Sequence, residues 1–210
     1  MKNEGEEGVM LESKALSSRS VFREYIHMIR MFSLNARLFL TSTILSGLSF
    51  GIWGAIFNLY LKELGYKENF AGFMFSLSAL ATGFVALPAG LLCEGIGRKR
   101  SLLLGMLVSN LFYLVQVFTT DSFLLLASSL VAGLVSTISW VANAPFMMEN
   151  SEKEERTYLF SISWAFMTVA GMVGNLLGGY LPNSFAVMVK GETVLGFRLT
   201  LLCSIVFTFV

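Results

Sequence analysis

Five stretches of this chain, residues 38–61, 70–93, 101–119, 123–148 and 158–181, run without a single charged side chain. Inside hydrocarbon a backbone finds no water for its amides, so each stretch must pair them internally as a helix. About 20 apolar residues then cross the membrane core. A sixth apolar stretch begins at Leu195 or Arg198 and runs to Val210. From Arg198 it reaches only about 20 Å as a helix, short of a core roughly 30 Å thick. The sequence is therefore expected to be a fragment whose sixth helix is unfinished.

Composition removes the water-soluble alternative. Apolar residues make up 55% of the chain and charged residues only 14%, with a mean hydropathy of +0.69. A soluble domain carries roughly a quarter of its residues as charges. Nineteen Phe and nineteen Gly suit helices that pack through small residues and turn bulky side chains to lipid. The expected fold class is all-α: a polytopic bundle of six transmembrane helices.

Several function classes are excluded on chemistry. His27 is the only histidine, which rules out multi-histidine metal chemistry, and it is read as a solvated surface residue. Cys93 and Cys203 lie far apart in or beside apolar segments, which gives neither a disulfide framework nor a metal site. No Asp, Glu, Lys, Arg or His stands near the middle of an apolar segment; Glu94, Glu149 and Arg198 are all at ends. A membrane-embedded enzyme needs such groups clustered at depth, so no enzyme and no cofactor are expected. The cations sit between apolar runs rather than on one face, so nucleic acid is no partner. A scaffold would need a sizeable soluble module, and the longest soluble stretch is the N-terminal tail.

Orientation follows from those cations. Eleven of the fifteen fall on one side: Lys2, Lys14, Arg19, Arg23, Arg30 and Arg37, then Arg98, Lys99 and Arg100, then Lys153 and Arg156. Lys62, Lys67, Lys190 and Arg198 fall on the other. The N-terminus is expected to be cytoplasmic, in a multi-pass protein of the cell membrane whose first apolar segment is its insertion signal. Residues 1–37 read as a cytoplasmic tail, disordered over 1–15. Over 16–37, Val21, Phe22, Tyr25, Ile26, Ile29 and Phe32 recur at helical spacing opposite Arg19, Arg23, His27 and Arg30. That pattern fits a helix lying on the membrane surface or one packed on the loops of the bundle.

The run from Gly90 to Arg100 is the most specific motif: glycines that permit a tight reversal, followed by three consecutive cations. Gly90, Leu92, Glu94, Gly97, Arg98 and Lys99 stand in the register G-x-L-x-[DE]-[RK]-x-G-R-[KR], with Gly95 replacing the usual cation. Pro145, Glu149 and Arg156 fit a P-x-x-x-E with a downstream arginine, although Ser129 stands where an arginine commonly precedes Gly133. Gly171, Gly174, Gly178 and Gly179 resemble a glycine-rich fifth helix, with Asn175 where proline is common, and Gly196-Phe197-Arg198 resembles the usual start of a sixth. On these residues the chain resembles the N-terminal half of a major facilitator superfamily transporter over 38–210.

The resemblance implies two inverted three-helix repeats, 38–119 and 123–210, and binding at the midplane against a C-terminal six-helix half. It implies a secondary active or facilitative transporter working by alternating access. It also implies a gating motif of Gly90, Glu94, Gly97, Arg98 and Lys99 at the cytoplasmic side. Helices one, two, four and five would surround the substrate. The cavity candidates are then Trp53 and Asn58, Asn110, Trp140 and Asn143, and the stripe Trp164, Thr168 and Asn175. Each either bridges helices or meets the solute, because a buried amide in a bilayer needs a partner. Gly171, Gly174 and Gly178 are read as a packing face. Without an intramembrane ionisable group the expected solute is neutral or amphipathic, a sugar or drug-like molecule. The expected partners are the lipid bilayer, that small molecule and the second half. The alternative is a half-size subunit that pairs with another membrane chain.

Overall fold

The computed structural model describes residue 29 and residues 31–209. Six helices follow in order: α1 Leu34–Glu63, α2 Glu68–Ile96, α3 Arg98–Phe118, α4 Ser122–Glu149, α5 Lys153–Met188 and α6 Thr193–Thr208. No strand occurs among the described residues. The first five helices are long and apolar enough to cross a membrane. The sixth has 16 residues and spans about 24 Å. The expectations for residues 1–28 and 30, including the tail and most of the amphipathic segment, lie outside the described residues. Leu34–Arg37 belong to α1. Phe32 is buried against Leu40, Met147, Leu159 and Ile162, so that end of the segment packs on the bundle.

The helices begin where the sequence supplies caps. Ser33 Oγ accepts from the Ala36 amide at 3.2 Å, and Asp121 Oδ1 accepts from the Leu124 amide at 2.8 Å. Glu152 and Glu155 form a reciprocal capping box at the start of α5. Pro88, Pro145 and Pro182 all sit inside helices, as packed membrane helices allow.

Packing obeys a simple exchange rule. α1 packs chiefly against α5 and α6, whereas α4 packs against α2 and α3. Exchanging α1, α2 and α3 for α4, α5 and α6 leaves this pattern unchanged, as two equivalent three-helix units require. One departure is that α5 and α6 also pack closely together, while α2 and α3 touch little. The α1–α5 contact is made by glycines. A Cβ on Gly47 would meet Met167 O at 2.7 Å, one on Gly51 would strike Gly171 O, and one on Gly174 would strike Leu48 O. Backbones this close gain the dispersion contacts that hold helices together where no hydrophobic effect operates. The outer faces carry Phe84, Leu87, Leu91, Leu176 and Val187, all largely exposed.

Candidate functional site

Two places gather the functional residues read from the sequence. The first is the reversal between α2 and α3, which takes a single residue. Gly97 ends one helix and caps the next with φ at 92°. Its amide donates to Cys93 O at 3.0 Å, and its carbonyl accepts from the Ser101 amide at 3.0 Å. Only a residue without a Cβ adopts that φ at little cost.

The reversal presents Arg98 to the C-terminus of α4. Arg98 Nη1 lies 3.2 Å from Glu149 Oε1 and donates to Pro145 O at 3.3 Å. Arg156 Nη2 donates to Met148 O at 3.2 Å. Two guanidiniums therefore satisfy carbonyls at a helix end whose dipole is negative. Gly90 stands on α2 with open space beside it. Glu94 and Lys99 are exposed, and among the described residues Glu94 forms no ion pair. The carboxylate that meets Arg98 inside this chain is Glu149.

The second place is a cavity of about 330 Å³ among the helices of the bundle. α1 lines it with Ser46, Ser49, Phe50, Trp53 and Phe57. α3 presents Met106, Ser109, Asn110, Tyr113 and Gln116, spaced three or four apart and hence on one face. α4 adds Ser129, Ser136, Ser139 and Trp140, with smaller contributions from α2, α5 and α6. The lining is chiefly serine, aromatic and methionine with the two amides Asn110 and Gln116, and no lining residue is charged. Trp53 stacks on Phe57 with ring centroids 4.7 Å apart and leans on Tyr113 at 4.9 Å. Thr208 Oγ1 donates to Asn110 Oδ1 at 2.9 Å, which ties α6 to α3 beside the cavity.

Of the residues expected at a cavity, Trp53, Asn110 and Trp140 line this one. Asn143 is partly buried outside it, and Asn58 and Asn175 are exposed. Trp164 is 61% exposed, and Thr168 turns its hydroxyl back to Trp164 O at 2.8 Å. Gln116, Tyr113 and the serines of α3 and α4 are not individually legible as cavity residues in the sequence. The recurrence of Met106, Ser109, Asn110, Tyr113 and Gln116 along one helical face would have found the α3 wall.

The sequence profile of the Major Facilitator Superfamily matches residues 39–210. Over 173 residues the chain is 25% identical to the tetracycline resistance protein, class H, of Pasteurella multocida, covering 81% of this chain and 43% of that protein. It is 29% identical over 117 residues to the proton-coupled antiporter flippase LtaA of Staphylococcus saprophyticus, covering 55% and 29%. It is 29% identical over 144 residues to the multi-drug resistance efflux pump PmrA homolog of Lactococcus lactis, covering 66% and 35%. The chain spans less than half the length of each of these relatives. With that match over most of its length and five helices able to cross a membrane, the chain belongs to the Major Facilitator Superfamily and is a multi-pass membrane protein of this transporter family.

Proposed function

We infer that this chain is the N-terminal half of a transporter that moves a small neutral or amphipathic, drug-like solute by alternating access. The carrying observation is the uncharged cavity, walled by serines, amides and the rings of Trp53, Tyr113 and Trp140. An uncharged lining neither pays for nor rewards desolvating an ion, whereas rings and hydroxyls match a solute that is apolar with a few polar atoms. The names of the relatives, which denote tetracycline and multi-drug resistance, support the same solute class.

Binding takes place at the midplane against a second six-helix half, with the Gly97 reversal on the cytoplasmic side of the cell membrane. Rocking of the halves makes and breaks contacts at that side. Arg98 is held by α4 through Glu149, so Glu94 stays available to a group on the second half. The exposure of Asn58, Trp164, Thr168 and Asn175 supports reading them as the residues that meet that half.

The test is efflux of tetracycline from proteoliposomes holding the complete transporter. Energised efflux that Trp53→Ala reduces about tenfold or more supports the reading. No solute movement above empty liposomes would overturn it.

A further inference from the structure

Gln116 is 2% exposed, lines the cavity, and its Nε2 has no hydrogen-bond partner. Among buried side-chain nitrogen and oxygen atoms of the described residues, only this one and Arg156 Nε are unpaired. Arg156 already binds Met148 O through another nitrogen. Gln116 forms no side-chain hydrogen bond with any described residue: its Nε2 is fully enclosed, while its Oε1 keeps some accessible surface. A primary amide without partners at membrane depth is costly, and buried polar groups almost always find them.

Asn110 stands on the same face of α3, also inside the cavity and 4% exposed. Its Oδ1 is taken by Thr208, while its amide nitrogen makes no hydrogen bond to a described residue. Two primary amides therefore stand at one cavity, the Asn110 nitrogen open to it and the Gln116 nitrogen turned away, with Tyr113 between them along the helix and Trp53 against that ring. We propose that the cavity wall formed by α3 is a binding site for an uncharged aromatic molecule bearing a hydrogen-bond acceptor such as a carbonyl. Asn110 donates to the acceptor from Nδ2, a half-turn of the terminal Gln116 amide brings its Nε2 to the same acceptor, and the rings of Trp53 and Tyr113 flank it. At about 330 Å³ the space exceeds a single water and falls in the range of small-ligand sites. The proposal rests on the transporter reading only for the origin of the occupant; binding is measured without transport, so either can fail alone.

The experiment uses the full chain in phosphatidylcholine nanodiscs and benzophenone as photoprobe, with adducts mapped by peptide mass spectrometry. Met106 and Met74 line the cavity, whereas Met172 and Met188 are exposed on α5 and report labelling from lipid. Labelling at Met106 or Met74 is expected, protected by fluorenone about tenfold better than by fluorene, which has the same shape without the carbonyl. Gln116→Leu is expected to weaken that preference, and Gln116→Leu combined with Asn110→Leu to erase it, while both leave adducts at Met172 and Met188. Three results would overturn the proposal: labelling confined to Met172 and Met188, equal protection by the two competitors, or a preference that survives undiminished when Gln116 and Asn110 are both replaced by Leu. The comparison of competitors on the unaltered chain decides the matter even where the variant fails to fold.

Discussion

Arg98, the first residue of α3, and Glu149, the last of α4, form an ion pair with Nη1 and Oε1 3.2 Å apart. The same guanidinium reaches Pro145 O, so one side chain both neutralises Glu149 and caps the end of α4. The side chains are 32% and 54% exposed, which keeps the ionic part small. A double-mutant cycle of Arg98→Ala and Glu149→Gln should return a coupling of about 0.5 kcal/mol. Arg98→Ala alone should cost more, about 1–2 kcal/mol, because the carbonyl loses its donor as well. Denaturant titration in mixed micelles measures both, and equal costs for the two single variants would contradict this account.

Glu94 offers the complementary case. It is exposed and forms no ion pair among the described residues. Glu94→Gln should leave stability within about 0.5 kcal/mol and insertion normal, yet slow transport by the complete protein. Unchanged transport rates would remove Glu94 from the gate.

The α1–α5 contact should tolerate nothing larger than hydrogen at Gly51. An added Cβ strikes Gly171 O and comes within 2.8 Å of the Asn175 amide nitrogen, and backbone atoms have no rotamer by which to yield. Gly51→Val is expected to cost about 3 kcal/mol or to prevent folding. Gly54, one turn on, has nothing within 4 Å, and Gly54→Ala should be neutral or stabilising by up to about 1 kcal/mol through helix propensity. Thermal unfolding followed by circular dichroism separates them.

Tyr60 joins three helices near their other end. It is fully buried; its hydroxyl donates to Val117 O at 2.6 Å and accepts from Arg198 Nε at 3.2 Å. Tyr60→Phe keeps the ring and removes both bonds, for an expected loss of about 1–3 kcal/mol. Arg198→Lys on the Tyr60→Phe background should then add little, since the partner is already gone.

Gly97→Ala isolates a purely conformational cost. Nothing lies within 4 Å of the Cβ it would introduce, so any destabilisation comes from φ at 92°. An expected loss of about 1–3 kcal/mol should show as a lower unfolding midpoint. No change would mean the reversal relaxes.

Much of this architecture could be read without coordinates. Charge-free stretches such as 38–61 and 123–148 could only be helices in lipid, and the glycine before Arg98 marked the elbow where α2 turns into α3. Helix ends were less legible. α5 runs from Lys153 to Met188, past both ends of the apolar stretch 158–181; the Glu152–Glu155 capping box fixes its start, a local signal that hydropathy does not carry. The site was legible only in part. Trp53, Asn110 and Trp140 share the cavity, whereas Trp164, Thr168 and Asn175 occupy a face of α5 outside its lining.

The sequence by itself determined that lipid surrounds these helices, how many there are and where they reverse, since an unpaired amide in hydrocarbon leaves a charge-free run no other structure. Only the tertiary structure decided which faces meet. Periodicity tells which residues share a side of a helix, but the rotation of that helix is set by how closely Gly47, Gly51 and Gly174 let α1 and α5 approach. The same rule sets α3 on α4, where a Cβ on Gly105 would strike Ser139 and approach Val135 O; that contact brings Arg98 to Glu149 and turns Asn110 and Gln116 to the cavity, because helix contact in a membrane is won by backbone proximity rather than by polarity.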